Sequence, residues 1–366
     1  MTCDYISLAR SGVQALKPYQ AGKPIEELQR ELGLTEIVKL ASNENPLGLS
    51  AKVKQVLVDN LDELTRYPDG AAFDLKQALA NKLNVGTAQI TLGNGSNDVL
   101  DLIGQVFLDG SASAIYSEHT FVVYPMMVQL LGARPIKVPA KDFGHDLEAM
   151  FAAIEDDTKV IFIANPNNPT GTWLGHAELN EFLAKVPEHI IVVLDEAYAE
   201  YIAADVDYAA GLTLQAQYAN VIVTRTFSKA YGLAGLRIGY SISSPEIADL
   251  INRVREPFNV NTLGQMAAIA ALEDEAYLAE SIAVNNAGRA QIEAALTELG
   301  LAFIPAQGNF ITFDTKTDAA KVYQDLLHKG VIVRPIAPYD MPQHLRVSIG
   351  LASENAAFIA ALKQVI

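Results

Sequence analysis

From about residue 89 to residue 243 the chain keeps one rhythm, a short apolar run rich in β-branched residues followed by a longer amphipathic run. The short runs fall at 89–92, 112–116, 159–164, 190–195, 221–226 and 236–241, and helical patterns occupy 99–108, 177–186 and 245–255. Strand, helix, strand in this order means βαβ units and a mostly parallel sheet covered on both faces. Such a sheet presents its functional groups at the carboxyl ends of its strands. After about residue 257 the rhythm changes. Residues 262–299 read as long helices, and strand candidates follow at 310–313, 331–334 and 345–349. At roughly 150 residues per domain, 366 residues suggest two domains. The expected division is an N-terminal arm (1–28), a large α/β domain (51–261) and a smaller α+β domain built from 29–50 plus 262–366.

Half of the residues are hydrophobic and 19% are charged, which supports a large core and excludes wholesale disorder. There are 27 Lys and Arg against 43 Asp and Glu, a net charge of −16. A surface that acidic repels phosphate backbones and anionic membranes, so neither nucleic acid nor a membrane is an expected partner. Taken at face value it also disfavours small anionic ligands. Cys3 is the single cysteine, which excludes an internal disulfide and Cys-rich zinc sites. The first twenty residues carry no signal-peptide pattern, and the 18-residue stretch without Asp, Glu, Lys or Arg, 160–177, is broken by prolines and asparagines, so no membrane span is expected. A reducing cytoplasm is the expected compartment. The six histidines (119, 145, 176, 189, 328 and 344) lack ligand spacing, so no metal is expected.

Several nucleotide and hydrolase motifs are absent: there is no Walker A sequence, no G-x-S-x-G and no H-E-x-x-H. Gly93-Asn-Gly-Ser-Asn-Asp98 begins like a dinucleotide fingerprint but has Asp98 where the last glycine belongs. It still opens a helix after a strand, so a phosphate cradle remains possible. Four features then lie in order at strand ends or just beyond. They are Asn165-Pro-Asn-Asn-Pro-Thr-Gly171, Asp195-Glu-Ala-Tyr198, Thr226-Phe-Ser-Lys229 and Gly235-Leu-Arg-Ile-Gly239. Singly they read as a turn, a helix cap, a surface lysine and a structural arginine. Together they have one set of tasks if the crevice holds pyridoxal phosphate. Lys229 supplies the amine for a Schiff base. Asp195 keeps the pyridine nitrogen protonated. Asn168 and Tyr198 offer neutral donors to the phenolic oxygen. Gly95, Ser96 and Asn97 at a helix start, with Thr226 and Arg237, suit the phosphate.

These residues resemble the fold-type I pyridoxal-phosphate aminotransferases of class II, and within them the histidinol-phosphate branch. The likeness runs through Leu16-Lys-Pro-Tyr19, Gly22-Lys-Pro-Ile25, Leu40-Ala-Ser-Asn-Glu-Asn-Pro-Leu-Gly48, Arg66-Tyr-Pro-Asp69, the run from Ser228 to Gly239, Gly330-Val-Ile-Val-Arg-Pro335 and Leu345-Arg-Val-Ser-Ile-Gly350. It implies an aspartate aminotransferase-like large domain with a smaller α+β domain. It makes Lys229 the catalytic base and acid, assisted by Asp195 and Tyr198. It stacks Phe121 on the cofactor, where relatives often carry Tyr. Phe keeps the π-face and loses the hydroxyl. Tyr67 would reach the cofactor phosphate of the neighbouring subunit in a homodimer with shared sites, and Tyr19, Asn43, Arg334 and Arg346 would contact substrate. Leu351 stands where relatives often have Thr. The implied reaction is transamination between a phosphorylated amino donor, histidinol phosphate, and a 2-oxo acid, 2-oxoglutarate, in histidine biosynthesis. An aromatic amino acid aminotransferase and a phosphothreonine-type decarboxylase stay open as alternatives on the same fold. A catalytically silent binding module is the rival from another class, but Lys229 and Asp195 are both present. Arg237, Arg334 and Arg346 would form a local positive pocket inside an acidic protein.

Overall fold

The computed structural model describes residues 3–19 and 21–366; positions 1, 2 and 20 of the expected arm lie outside the described residues. A short strand β1 (Val38–Lys39) precedes the alternating region. That region contributes β2 (Ile90–Gly93), β3 (Ser113–Ser117), β4 (Arg134–Val138), β5 (Thr158–Ala164), β6 (Ile191–Asp195), β7 (Val221–Thr226) and β8 (Gly239–Ile242). They form one sheet in the order β2-β8-β7-β6-β5-β3-β4. Only β8 runs antiparallel to its neighbours; the other pairs are parallel. Every residue of β3 and β6 is buried, which is why their central residues, 114–116 and 191–194, read as continuous apolar runs rather than alternating ones. Helices Ser96–Phe107, Val123–Leu131 and Pro245–Val254 cover one face, sharing a core with Val160, Phe162 and Val193. Helices Leu147–Ala152 and His176–Lys185 cover the other, against Ile161, Ile163 and Leu194.

Two strands depart from expectation. β4 was not anticipated because Arg134-Pro135 reads as a loop and its first residues are exposed. As the edge strand it tolerates a proline that a central strand would not. β8 starts three residues later than its apolar run. Ala234–Leu236 form a tight turn, and Arg237 takes a left-handed backbone (φ 54°) before the strand begins.

The remaining strands are β9 (Phe303–Ile304), β10 (Phe310–Asp314), β11 (Val331–Ile332), β12 (Arg334–Pro335) and β13 (His344–Ser348). The single run expected at 331–334 serves two sheets. β11 pairs in parallel with β1, which ties the residues before 50 to the C-terminal part. β12 joins the antiparallel sheet β12-β13-β10-β9 and sets Arg334 opposite Arg346. The 262–299 segment is two helices, Thr262–Leu272 and Glu275–Glu298; the Asp274 side chain accepts from the Tyr277 N–H at 3.2 Å and caps the second. The first packs with Ala51–Asp59 and Phe73–Leu83 in a core that includes Ile90 and Tyr240. It therefore packs with the large sheet, although the sequence pattern grouped it with the small domain. Among the described residues no helix is long and apolar enough to cross a membrane.

Candidate active site

The carboxyl ends of β5, β6 and β7 lie side by side, and β13 of the smaller sheet faces them across a cleft of about 200 Å³. Asp195, the last residue of β6, is 4% exposed. Its Oδ2 accepts from Tyr124 Oη at 2.7 Å and its Oδ1 from Thr224 Oγ1 at 2.9 Å. Burial raises its pKa, and those two hydroxyls together with the Ala197 N–H pull back. No Lys or Arg among the described residues forms an ion pair with it. The carboxylate is thus held in place by neutral donors while its charge is left to be answered from the cleft.

Lys229 follows β7 by three residues and lies at the cleft floor. Its Nζ donates to the Ser42 carbonyl at 3.3 Å and sits 5.7 Å from the centre of the Tyr198 ring. Burial first, then Arg346 and Arg237, depress its pKa from 10.5 to about 8. An amine so shifted is a usable nucleophile and base near neutral pH. Tyr198 is buried, and its hydroxyl accepts from Asn43 Nδ2 at 2.9 Å. Burial pushes that phenol up to about 12, so it keeps its proton and can donate it.

A cradle for an anion lies at the other end of the cleft. Gly95 (φ 92°) precedes the helix that starts at Ser96. That backbone conformation favours glycine, and a Cβ at 95 would push the Arg237 guanidinium from its place across the helix N-terminus. Arg237 Nη1 donates to Ser228 Oγ at 3.2 Å and to the Ala234 carbonyl at 3.0 Å. Thr226 Oγ1 accepts from the Ser228 N–H at 3.1 Å. At the small-domain side, Arg346 is 6% exposed. It donates to Asn168 Oδ1 and, through Nη2, to the Ala41 carbonyl at 2.9 Å, while its buried Nε has no partner. The Arg346 bond commits Asn168 Oδ1 and leaves its NH2 as donor. Arg334 Nη2 donates to Tyr19 Oη at 3.3 Å, which brings the arm to the cleft rim.

Comparisons with known proteins show the family. The family model for aminotransferase class I and II matches residues 35–362. The chain belongs to the class I and II aminotransferase family. It is 56% identical to histidinol-phosphate aminotransferase 2 of Pseudomonas fluorescens, over 100% of this chain and 99% of that one. It is 55% identical to the protein of the same name from Pseudomonas aeruginosa, over 99% of each. Among solved structures it matches histidinol-phosphate aminotransferase from Sinorhizobium meliloti in complex with pyridoxal-5'-phosphate, at 32% identity and a TM-score of 0.89, covering 97% of this chain and 96% of that one. The fold is accordingly the aspartate aminotransferase-like fold of that family.

As an aminotransferase cleft, the site gathers most of the residues read from sequence. Ser96, Asn97, Phe121, Asn168, Asp195, Tyr198, Thr226, Lys229 and Arg237 line it from the large domain, with Gly95 just behind the helix start. Tyr19, Asn43, Arg334 and Arg346 line it from the arm and small domain. Two stand apart from the rest. Tyr67 is 83% exposed, stacks on Phe258 at 4.8 Å and lies outside the cleft of its own chain. Asn43 is fully engaged by protein: its N–H donates to Ser348 Oγ, its Oδ1 accepts from that hydroxyl and its carbonyl accepts from Asn309. It holds Tyr198 in place. Sequence reasoning missed Tyr124, Thr224 and Ser228. Tyr124 stands three residues after Phe121, in the first turn of the helix that follows it, and Thr224 lies two before Thr226, on the same strand face.

The depressed Lys229 pKa has a testable sign. Between pH 8 and 10.5 the unfolded chain holds a proton that the folded chain has shed, so stability rises with pH through that window. Below about pH 8 the penalty is fully present. Lys229→Met without cofactor is therefore expected to be more stable than the parent at pH 7 in urea unfolding. The difference should close as pH approaches 10.5, and a gap that is flat with pH would contradict the shift.

Proposed function

We propose that this protein is a histidinol-phosphate transaminase, interconverting L-histidinol phosphate and 2-oxoglutarate with imidazole acetol phosphate and L-glutamate in histidine biosynthesis. The observation that carries the reading is the pairing, in one cleft, of a buried Asp195 held by neutral donors with an amine, Lys229, shifted to about 8. A group that brings a protonated ring nitrogen, an aldehyde and a phosphate fits that donor set. Pyridoxal phosphate supplies, when bound, an electron-withdrawing ring that stabilises negative charge on the carbon bearing the amine.

The chain's own residues do the rest. Lys229 would hold the cofactor through Nζ and, once displaced by the substrate amine, move a proton between the two reacting carbons as base and then acid. Asp195 would keep the ring nitrogen protonated, with Tyr124 and Thr224 fixing its carboxylate. Tyr198 Oη and Asn168 Nδ2 would donate to the phenolic oxygen. Ser96, Asn97, Thr226 and Arg237 would bind the phosphate around the Gly95 turn, and Phe121 would stack on the ring. Arg346 and Arg334, opposite one another on β13 and β12, would accept the donor's phosphate and the acceptor's carboxylate in turn. A guanidinium fork suits either anion. Tyr19 would cover them from the arm, and Asn43 would contact substrate only through the Tyr198 it positions.

The same reading makes the protein a cytoplasmic homodimer, in which the exposed Tyr67 would complete the phosphate site of the neighbouring subunit. Its division is an arm (1–28), a small domain from 29–50 and the chain beyond Leu272, and a large domain between them.

Two measurements check this. With pyridoxal phosphate and 2-oxoglutarate supplied, kcat/KM for histidinol phosphate should exceed that for phenylalanine or tyrosine by more than about tenfold, roughly 1.4 kcal/mol. A smaller ratio would favour the aromatic amino acid reading. Tyr67→Ala should bind cofactor more weakly, by about tenfold for one lost hydrogen bond to a charged group. A fully active monomer in sedimentation would refute the shared site.

A further inference from the structure

On the sheet face away from the cleft, a second constellation sits directly behind the first. Glu196 follows Asp195 and is 1% exposed. Its carboxylate accepts four hydrogen bonds. Oε2 takes two from Arg225, Nε at 2.9 Å and Nη2 at 2.7 Å. Oε1 takes one from Tyr208 Oη at 2.9 Å and one from the Gly211 N–H at 2.6 Å. Tyr208 Oη is also 2.8 Å from the Asn165 carbonyl, so its single proton is shared between the loop after β5 and Glu196. A Cβ at 211 would lie 2.9 Å from Glu196 Oε1 and 3.0 Å from Val223 Cγ2, so only glycine lets this N–H come so close.

Alternation along a strand explains the arrangement. Asp195 faces the cleft and Glu196 turns away from it. Thr224 and Thr226 face the cleft side, and Arg225 between them turns away. The Glu196–Arg225 pair therefore joins the ends of β6 and β7 from behind, and Tyr208 extends the link to the end of β5. These three ends carry Asn168, Asp195 and Lys229. A charge pair this deeply buried adds little net stability over an apolar pair of the same size; what four directed bonds supply is fixed geometry.

We propose that Glu196 is a positioning residue, whose carboxylate sets the relative placement of the three strand ends that carry Asn168, Asp195 and Lys229. What those residues hold rests on the function proposed above; the clamp itself does not. Glu196→Asp keeps the charge and shortens the reach by one methylene, so Arg225 and Tyr208 can no longer be held together. Tyr208→Phe removes only the bridge to Asn165.

The test is hydrogen–deuterium exchange of both variants without cofactor, followed by cofactor release and steady-state kinetics. In Glu196→Asp, exchange at 164–168, 195–198 and 224–229 should rise together, by about threefold or more. Cofactor release should quicken and kcat per cofactor-loaded site should fall about tenfold, with KM changed less than twofold. Tyr208→Phe should loosen 164–168 most and lower kcat less. Unchanged exchange at 164–168 in Tyr208→Phe would overturn the clamp, and so would parental kcat per loaded site in Glu196→Asp. If Glu196→Asp does not fold, Tyr208→Phe decides alone. Neither exchange nor cofactor release involves a substrate, so a wrong substrate assignment would leave both results standing.

Discussion

A carboxylate buried at the end of a central parallel strand is the constraint around which this molecule is organised. Asp195 is cut off from water, and two hydroxyls hold its oxygens without neutralising its charge. Leaving a charge uncompensated in such a place is costly, so the site is suited to a ligand that brings a cation. The strands around it follow from that need. β6 is apolar until its last residue, Asp195, β7 is apolar through Val223, and β5 is apolar from Val160 to Ala164, with the polar groups at or just beyond these ends. The helices on either side exclude water from everything except the cleft.

The second half of the site depends on a different element. β1 and β11 bind the residues before 50 to the C-terminal part, and β12 pairs with β13 so that Arg334 and Arg346 stand opposite each other. Two like charges at one register position repel unless something anionic or acceptor-rich lies between and around them. Arg346 is answered by the Ala41 carbonyl and Asn168 and still has a buried Nε without a partner. The overall charge of −16 belongs to the outer surface, whereas the cleft is locally cationic. Net charge therefore bears on polymeric anions and says little about small ones.

Much of this was legible in the chain because it is local. Strand runs end at or just before Asn168, Asp195 and Lys229, so their gathering in one cleft could be read without coordinates. What escaped was non-local or off-phase. Tyr124 reaches Asp195 across 71 positions, which no spacing rule encodes. β4 was hidden by Pro135, acceptable only because the strand is an edge. Arg237 ends in a left-handed turn that delays β8. Glu196 and Arg225 were passed over because each lies one residue out of step with the cleft. Their shared offset, read with the two-residue period of a strand, is the signal that would have paired them. The helix Thr262–Leu272 was grouped by position in the chain, whereas its packing is set by the apolar face it shares with Ala51–Asp59.

The most direct test of the account is a single-turnover experiment with cofactor-loaded protein and histidinol phosphate in the absence of any 2-oxo acid. A two-half reaction run by Lys229 predicts about one equivalent of keto product per site and then arrest, with turnover resuming on addition of 2-oxoglutarate; Lys229→Ala should give neither phase. Continuous turnover without an acceptor, or an undiminished first phase in Lys229→Ala, would contradict it.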